Sequence, residues 1–265
     1  RIVEDDEIKN SIVKKYPYSK WVKSNVLPLS KVPYRIKKTV KEKLNFETRL
    51  KVFGYTKEDF KTIILPMCNN GKEAIGSMGT DTPLAVLSKK PQLIYNYFKQ
   101  LFAQVTNPPL DGIREEIITD TSLSLGSDYN IFDLIPDHAK KLKINNPIIS
   151  NGDLEKIKHI DHEDFKACSI NVNYEISKGH NGLEKALDNI VDKVVKKVDT
   201  GHNIIILSDR KTSKKYAPIP ILLVCSYVHH SLIKRKKRSK FGIVIESAEP
   251  LSLIHISEPT RPRLI

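Results

Sequence analysis

Apolar residues in the last third of the chain follow helical and strand-like patterns in turn. One predicted helix face consists of apolar positions three or four residues apart: Leu183, Leu187, Ile190, Val194 and Val198. This spacing predicts an amphipathic helix that ends at Thr200-Gly201. Asn203–Leu207 follows as a continuous apolar run, which is typical of a strand buried on both faces. Ser169–Tyr174, before the helix, is predicted to form another strand.

The same order of elements continues toward residue 250. Pro218 and Pro220 are placed to open a helix that runs through Ile233, and Phe241–Ile245 is a further apolar strand. Strands and helices that alternate at this spacing form parallel βαβ units with right-handed crossovers. The sequence therefore predicts an α/β fold.

Polar residues follow two of these predicted strands directly. Ser208-Asp209-Arg210 comes after Asn203–Leu207, and Glu246-Ser247 comes after Phe241–Ile245. In parallel sheets of this kind, ligands bind outside the carboxyl ends of the strands. Both segments are therefore candidates for a functional position.

The pattern before residue 166 is richer in loops. Thr56 and Asp59 have the spacing of a capping box, and the apolar helical run behind them ends at Asn69-Asn70-Gly71. Pro91 fits the first turn of a second helix with a wide apolar face, which Asn107-Pro108-Pro109 terminates. Further along, residues 120–165 are loop-rich, with one short helix predicted from about residue 150 to residue 157.

Both ends of the chain differ from this pattern. The first 52 residues are rich in lysine and interrupted by prolines, so we expect a tail or linker with short helical pieces. The chain begins with Arg1 rather than Met, and we expect it to be part of a longer protein. Leu251–Ile265 contains Pro259 and Pro262, which prevent a regular helix, and we expect this segment to be a non-native tail.

One loop has the residues of a ligand-facing segment. Gly76 and Gly79 permit close backbone approach to a ligand, and Met78 between them is a flexible apolar contact. The polar members of the loop offer hydrogen bonds: Ser77, Thr80 and Asp81. An ordinary turn explains the same residues, and composition alone does not separate the two interpretations.

Charge is unevenly distributed along the 265 residues. The formal net charge is +13, and it is concentrated in residues 1–52, at +8, and residues 190–240, at +10. The densest run is Lys234–Arg238, at the end of a predicted helix, where cations meet the negative end of the helix dipole. It has no aromatic interleaving and no nucleic-acid-binding signature, so a solvated helix end is the favoured interpretation. A non-catalytic basic α/β module that binds nucleic acid is the alternative, and it requires strongly salt-dependent binding.

Several classes of chemistry are missing from the sequence. No apolar run approaches the roughly 18–20 residues of a membrane span, and no signal-peptide core opens the chain. The sequence contains no GxGxxG, Walker, HExxH or GxSxG motif. Its three cysteines are too few for an iron–sulfur cluster and too scattered for a disulfide framework: Cys68, Cys168 and Cys225.

Several segments together resemble a known family. Gly76–Ser88 and Tyr97–Pro109 resemble the central domain of the glutamate synthase large subunit, the second of them closely. Shorter matches follow in the order of the family: Ile113–Glu116, Pro136–Ala139, Ile205–Arg210 and Ala217–Pro220. The resemblance runs from about Arg1 to Pro250, and Arg1–Glu7 resembles the end of a preceding glutaminase domain.

This resemblance implies a fold and a domain organisation. The expected fold is α/β, with parallel βα units resembling part of a TIM-like barrel behind a helical and loop-rich N-terminal part. Residues 1–50 would be the tail of a glutamine amidotransferase domain with its linker. Residues 51–250 would be the central domain, and residues 251–265 would not be native. The fragment alone is expected to be inactive.

The resemblance also implies an activity for the whole enzyme. Glutamine would be hydrolysed in a glutaminase domain, and ammonia would pass through a tunnel to an FMN site, where 2-oxoglutarate becomes glutamate. Electrons would come from NADPH or ferredoxin through an iron–sulfur cluster, with a small subunit or ferredoxin as partner. No cofactor, metal site or catalytic residue is expected within this chain. Neither nucleic acid nor membrane is an expected partner, and the expected location is the cytoplasm, with the plastid stroma as the alternative.

The resemblance and the loop chemistry lead to one site hypothesis. We expect Ser77–Asp81 to face the FMN and 2-oxoglutarate site, with Met78 and Gly79 nearest the cofactor. Ser77, Thr80 and Asp81 would line the ammonia tunnel. Asp209 and Arg210 would fix the end of the sheet. A self-sufficient flavin barrel is a rival, but about three βα units are too few for an eight-fold barrel.

Overall fold

The structure of the chain is a computed structural model. It describes residues 2–33, 44–71, 84–98, 111, 113, 114, 118 and 120–250. Three sequence predictions fall outside these residues: the Gly76–Pro83 loop, the second helix beyond residue 98, and the tail 251–265. They stay predictions.

The described elements comprise short helices and strands in the N-terminal part and longer ones after residue 165. The helices are α1 (Asp5–Val13), α2 (Tyr18–Asn25), α3 (Phe46–Val52), α4 (Lys57–Asp59), α5 (Leu65–Asn70), α6 (Asn151–Lys158), α7 (Gly179–Asp199) and α8 (Ile221–Lys234). The strands are β1 (Leu27–Pro28), β2 (Leu123–Leu125), β3 (Leu142–Ile144), β4 (Ala167–Asn171), β5 (Asn173–Glu175), β6 (Ile204–Ser208), β7 (Tyr216–Pro218) and β8 (Gly242–Glu246). None of the described helices combines the length and the apolarity needed to cross a membrane.

The predicted βαβ units are present. Strands β4, β6 and β8 form a parallel sheet with β6 in the middle, and α7 and α8 are the crossover helices between them. The register places the last residues of the three strands side by side: Asn171, Ser208 and Glu246. The α/β prediction is confirmed. Among the described residues the sheet is open and does not close into a barrel. Of the barrel-like arrangement that the resemblance implied, the structure shows the βα units.

Strand β6 is buried on both faces, as its sequence predicts. Ile205 and Leu207 pack in one core cluster with the apolar faces of α7 and α8. Ile204 and Ile206 point to the other side, where they pack with α6 and β3. All four isoleucine and leucine side chains of the strand are completely buried. The second face is covered by a small sheet in the order β1-β3-β2, in which β1 is parallel and β2 antiparallel to β3.

Two local predictions in the N-terminal half are confirmed by hydrogen bonds. The backbone N–H of Thr56 donates to Asp59 Oδ2 at 2.9 Å, and that of Asp59 donates to Thr56 Oγ1 at 3.1 Å, so the capping box is complete. The helical run then passes through a π-helical segment, Phe60–Ile64, and ends at Gly71, which has a φ of +61°. Further along, the Ser150 hydroxyl caps α6 by accepting from the backbone N–H of Asp153.

The strand predicted at Ser169–Tyr174 is two strands instead of one. β4 ends at Asn171, and β5 pairs antiparallel with β7 rather than continuing the parallel sheet. Val172, between them, donates its backbone N–H to Ser208 and accepts from that of Ile219. Apolar alternation continues through the break, so the pattern alone could not show where the chain changes sheets.

The second predicted helix begins later than Pro91 and with tighter turns. Residues 91–93 have no regular structure, and Ile94–Phe98 is a 3₁₀ helix. The Ser88 hydroxyl accepts from the backbone N–H of Lys90 and from the Gln92 amide, which holds this stretch in a turn that competes with helix.

A tight contact between β8 and β2 gives a test of this packing. A Cβ added at Gly242 would lie 2.2 Å from Leu125 Cδ1 and 3.3 Å from the backbone nitrogen of Gly126. We expect Gly242→Ala to lower the free energy of unfolding by about 1–3 kcal/mol through overpacking. Urea denaturation measures this cost, and it should shrink in a Leu125→Ala background, where the added methyl has room. Strictly additive effects of the two substitutions would contradict the contact.

Candidate functional site

The residues proposed to face the cofactor and tunnel are not among those described. Ser77, Met78, Gly79, Thr80 and Asp81 all lie within residues 72–83, outside the described ranges. Their roles stay predictions. The two remaining predicted site residues, Asp209 and Arg210, are described and lie at the carboxyl edge of the central sheet.

At that edge, Glu246 accepts two charged donors. Arg210 Nε lies 2.6 Å from Glu246 Oε1, and Lys158 Nζ, at the end of α6, lies 2.9 Å from the same oxygen. The backbone N–H of Asp209 donates to the Glu246 carbonyl oxygen at 3.2 Å. The two polar segments that the sequence predicted, Ser208–Arg210 and Glu246-Ser247, are therefore in direct contact, and each begins with the last residue of its strand. Glu246 also links the sheet to α6.

Glu246 stays charged although it is 8% exposed. Burial alone would raise its pKa, but hydrogen bonds from Lys158, Ser208 and Arg210 lower the pKa below its ordinary value. A buried carboxylate with two cations and a hydroxyl as partners forms a closed ionic network. This network stabilises the carboxyl ends of β6 and β8 and the helix behind them.

Two other carboxyl groups at the same edge are shifted in the opposite direction. Burial raises the pKa of Asp209 to about 6, although the Ser247 hydroxyl and the Ala248 N–H donate to it. Burial also raises the pKa of Glu249 to about 7, although the backbone N–H of Ile221 donates to Glu249 Oε2 at 2.8 Å. The negative charge of Asp209 further raises the pKa of Glu249, and the negative charge of Glu246 further raises that of Asp209. This buried acid pair can hold or release a proton close to neutral pH.

Two tyrosines lie close enough to this pair to interact with it. The Tyr55 hydroxyl donates to the backbone carbonyls of Ala248 at 2.6 Å and Glu249 at 3.0 Å. Burial, followed by the charge of Glu249, raises the pKa of both Tyr55 and Tyr95. Both phenols therefore stay protonated at neutral pH, and that of Tyr55 acts as a hydrogen-bond donor. Tyr55 thereby ties the start of the α4–α5 region to the segment that follows β8.

A polar groove of about 480 Å³ lies beside the end of β4. Its walls are α7 and the β5–β7 pair, and its lining includes Lys178, Lys185 and Lys193. The buried side-chain oxygens of Asn171 and Asn173 have no hydrogen-bond donor, while the Asn173 amide donates to Thr212 Oγ1 at 2.7 Å. Lys178 is paired with Glu175 at 3.0 Å. The groove thus offers cationic side chains at the same sheet edge as the buried acid pair.

Sequence reasoning identified only part of this arrangement. Lys158, Glu249 and Tyr55 were given no functional role from the sequence. Lys158 lies 88 residues from Glu246, and Tyr55 lies 194 residues from Glu249. The position of Glu249 just beyond β8 was the one available signal, since polar residues after parallel strands converge at one edge.

The described residues do not provide a metal centre. Within the described ranges, no group of three or more His, Cys, Asp or Glu side chains could hold a metal ion. The whole chain has three cysteines, one fewer than a four-thiolate iron–sulfur cluster takes. Cys68 is exposed, while Cys168 and Cys225 are half-buried, and burial raises the thiol pKa of both half-buried cysteines.

Three cations of the Lys234–Arg238 run have partners inside the chain. Arg235 Nη1 lies 2.9 Å from Asp192 Oδ1, and Lys237 pairs with Asp199, so both bind carboxylates of α7. Arg238 donates to the Phe241 carbonyl and packs over the Phe241 ring. The Arg235 and Lys237 pairs join the end of α8 to α7. They favour the interpretation of this run as a helix end over the nucleic-acid alternative.

Known proteins are similar to almost the whole chain. A family model described as the glutamate synthase central domain matches residues 48–258. The large chain of the NADPH glutamate synthase of Bacillus subtilis is 37% identical over 260 residues, which are 97% of this chain and 16% of that protein. The ferredoxin-dependent glutamate synthase 2 of Synechocystis sp. is 34% identical, and the NADH glutamate synthase of Schizosaccharomyces pombe is 32% identical, each over 97% of this chain. The chain spans only 13–16% of the length of these relatives.

The Glu246 network predicts a large loss of stability when its acceptor is removed. Glu246→Ala removes the buried carboxylate that Lys158 and Arg210 share, while Lys158 keeps its pair with Glu155. We expect the free energy of unfolding to fall by about 2–3 kcal/mol. Chemical denaturation measures the loss. Asp192→Ala is the matched control, because it breaks the half-exposed pair with Arg235 and should cost less than about 1 kcal/mol. Equal losses in both variants would show that Glu246 contributes no more to stability than a half-exposed ion pair does.

The raised pKa of Glu249 predicts a particular dependence of stability on pH. Because the folded state binds this proton more tightly than the unfolded state, the linked stability is complete below pH 4.5 and is lost as pH rises through about 7. Glu249→Gln keeps an oxygen for the Ile221 N–H but cannot ionise. At pH 8 it should therefore be more stable than the parent chain by up to about 3 kcal/mol.

Thermal or urea unfolding of both chains from pH 4 to pH 8 measures this effect. The parent should lose more stability than the variant as pH rises across that range. The variant should still lose some stability with rising pH, because burial also raises the pKa of Asp209. Glu163→Gln, at an exposed position, is the control and should follow the parent. Parallel curves for parent and Glu249→Gln would show that Glu249 is not held protonated by burial.

Proposed function

The chain belongs to the glutamate synthase central domain family, and we propose that in a longer polypeptide it joins a glutaminase domain to an FMN-binding synthase domain. The observation that carries this proposal is the pattern of coverage. Curated glutamate synthases match 97% of the chain, yet the chain spans 16% or less of them. A segment of this kind is one domain among several of the same polypeptide.

In this proposal the complete enzyme makes glutamate from glutamine and 2-oxoglutarate. The glutaminase domain releases ammonia, and a reductive step on 2-oxoglutarate consumes it. FMN and an iron–sulfur cluster, held by other domains, supply the electrons of that step when bound. The three cysteines of this chain are too few for the cluster, so no redox step is assigned to its residues. The electron donor is a nicotinamide nucleotide or ferredoxin, with a small subunit or ferredoxin as the partner.

The contribution of this chain is to hold a passage between two catalytic domains. Ammonia in its neutral form is best guided by small, backbone-lined walls that exclude water, and the Gly76–Gly79 loop has that composition. We assign Met78 and Gly79 to the side that faces the cofactor, and Ser77, Thr80 and Asp81 to the tunnel wall. The Glu246 network, which includes Arg210, supports the role of the sheet edge as a fixed base for such a wall.

The expected location follows from the same family. Relatives include bacterial large chains and enzymes named as chloroplastic. We place this protein in the cytoplasm, with the plastid stroma as the alternative.

A coupling experiment on the complete enzyme tests the proposal. We expect replacement of Met78 and Thr80 by Ala to open the tunnel wall, so that ammonia escapes and less glutamate forms per glutamine hydrolysed. The glutaminase rate and the synthase rate are measured on the same preparation. Ile148→Ala, at an exposed position next to α6, is the control and should leave the ratio of the two rates unchanged. An unchanged ratio in the Met78 and Thr80 variant would refute the tunnel role.

A further inference from the structure

One surface loop exposes large apolar side chains next to one another. It runs from Tyr129 to Leu134 between β2 and β3, and we name its apolar members, Tyr129, Ile131, Phe132 and Leu134, the apolar knob. Ile131 is 78% exposed and Phe132 is 86% exposed, with the other two about half exposed. A single exposed apolar side chain is ordinary, but adjacent ones on one loop indicate a contact surface.

Hydrogen bonds within the loop fix its shape. The Asn130 amide donates to Asp133 Oδ2 at 2.8 Å, and the backbone N–H of Asp133 donates to the Asn130 carbonyl at 3.0 Å. His138 Nε2 lies 3.1 Å from the Asn130 carbonyl and 2.8 Å from that of Asp133. Because both neighbours are acceptors, this nitrogen carries the proton and donates. The Tyr129 ring packs edge-on against the His138 ring, with centroids 5.8 Å apart.

The base of the loop is attached to the central sheet. The backbone N–H of Asp128 donates to the Ser239 carbonyl, and the Ser127 hydroxyl donates to the Lys240 carbonyl at 2.7 Å. Both acceptors lie just before β8. Lys141 Nζ in turn donates to the Ser127 carbonyl at 2.6 Å. The apolar knob is therefore held by hydrogen bonds inside the loop and by hydrogen bonds from the base of the loop to the residues before β8. The side chains of Ile131 and Phe132 are nevertheless largely exposed.

A rigid loop with uncovered apolar side chains is suited to insertion into a partner. The backbone has already lost its conformational entropy on folding, so a partner gains the burial of Phe132 and Ile131 at little further cost. Interfaces draw most of their binding energy from a few such anchors that fill a pocket. The chain thus presents a preformed anchor, and the question is what receives it.

We propose that the apolar knob docks into an apolar pocket on another domain of the same polypeptide, outside residues 1–265. This inference rests on the proposed function in so far as that function requires neighbouring domains. The chain spans 16% or less of its relatives, so most of the polypeptide that could cover the knob lies outside it.

The size of the apolar knob favours a tethered partner over a free one. Two of the four side chains are already about half covered, so together they offer roughly 600 Å² at most, which is short of the roughly 800 Å² per partner in a standard interface between free molecules. A domain linked through the same backbone has an effective concentration of the order of millimolar, so a small anchor is sufficient. A second copy of the chain has no such advantage.

Photocrosslinking in the complete enzyme identifies the partner. Phe132→p-benzoylphenylalanine places a photoreactive group on the knob, and Ile148→p-benzoylphenylalanine places the same group at a 56% exposed position outside it. Equal amounts of isotopically labelled and unlabelled enzyme are mixed, and crosslinked peptides are sequenced by mass spectrometry. We expect crosslinks from position 132 to peptides outside residues 1–265 of the same molecule, with a yield about tenfold above that from position 148. Crosslinks between labelled and unlabelled chains, crosslinks only within residues 1–265, or a yield equal to the control would each overturn the proposal.

A matched pair of substitutions gives an independent measurement on the complete enzyme. Ile131→Asp should lower the midpoint of thermal unfolding, because a charge is forced into an apolar contact, while Ile148→Asp should leave the midpoint unchanged. Equal midpoints for the two variants would overturn the proposal. Neither measurement depends on ammonia transfer, so docking can fail while the coupling of the two rates stands, and the reverse also holds.

Discussion

The structure depends on one constraint, the complete burial of strand β6. Four consecutive apolar residues, Ile204–Leu207, have no contact with solvent, so the chain must cover the sheet on both sides. Helices α7 and α8 cover one side, and α6 with the small β1-β3-β2 sheet covers the other. Because a strand buried in this way cannot leave a backbone group unpaired, β4 and β8 must flank it in register. The layered arrangement of residues 120–250 follows from this requirement.

The same burial explains the chemistry at the carboxyl edge. The polar residues at the end of this buried sheet are themselves buried, so their carboxyl groups are poorly hydrated. Two arrangements compensate for the lost hydration. Glu246 is charged and has two cations and a hydroxyl as partners, while Asp209 and Glu249 lie close together and have their pKa raised by burial. One edge therefore combines a fixed ion with groups that exchange protons near neutral pH. Shifted pKa values of this kind occur at functional sites and also in structural ion-pair networks.

The sequence predicted the elements whose cause is local. β6 follows from its apolar run, α7 from its spacing, and the start of α4 from the Thr56–Asp59 capping box. Contacts between distant residues could not be predicted in this way, because periodicity carries no information about partners such as Lys158 and Glu246. The break between β4 and β5 was missed because apolar alternation continues through Val172. The convergence of Asp209 and Glu246 was predictable, since parallel strands place their carboxyl ends together. The raised pKa values of Asp209 and Glu249 were not predictable, because they depend on how deeply each carboxyl group is buried.

The hydrogen bonds of Tyr55 join two segments that are far apart in the sequence. The family match extends over residues 48–258, and Tyr55 lies near its start while Ala248 and Glu249 lie near its end. One phenol thus ties a segment near the beginning of the matched region to a segment near its end. Chain ends that lie close together are a common feature of domains that tolerate insertion into a host chain. The Tyr55 hydroxyl therefore limits the distance between the two points at which the matched region continues into the rest of the chain.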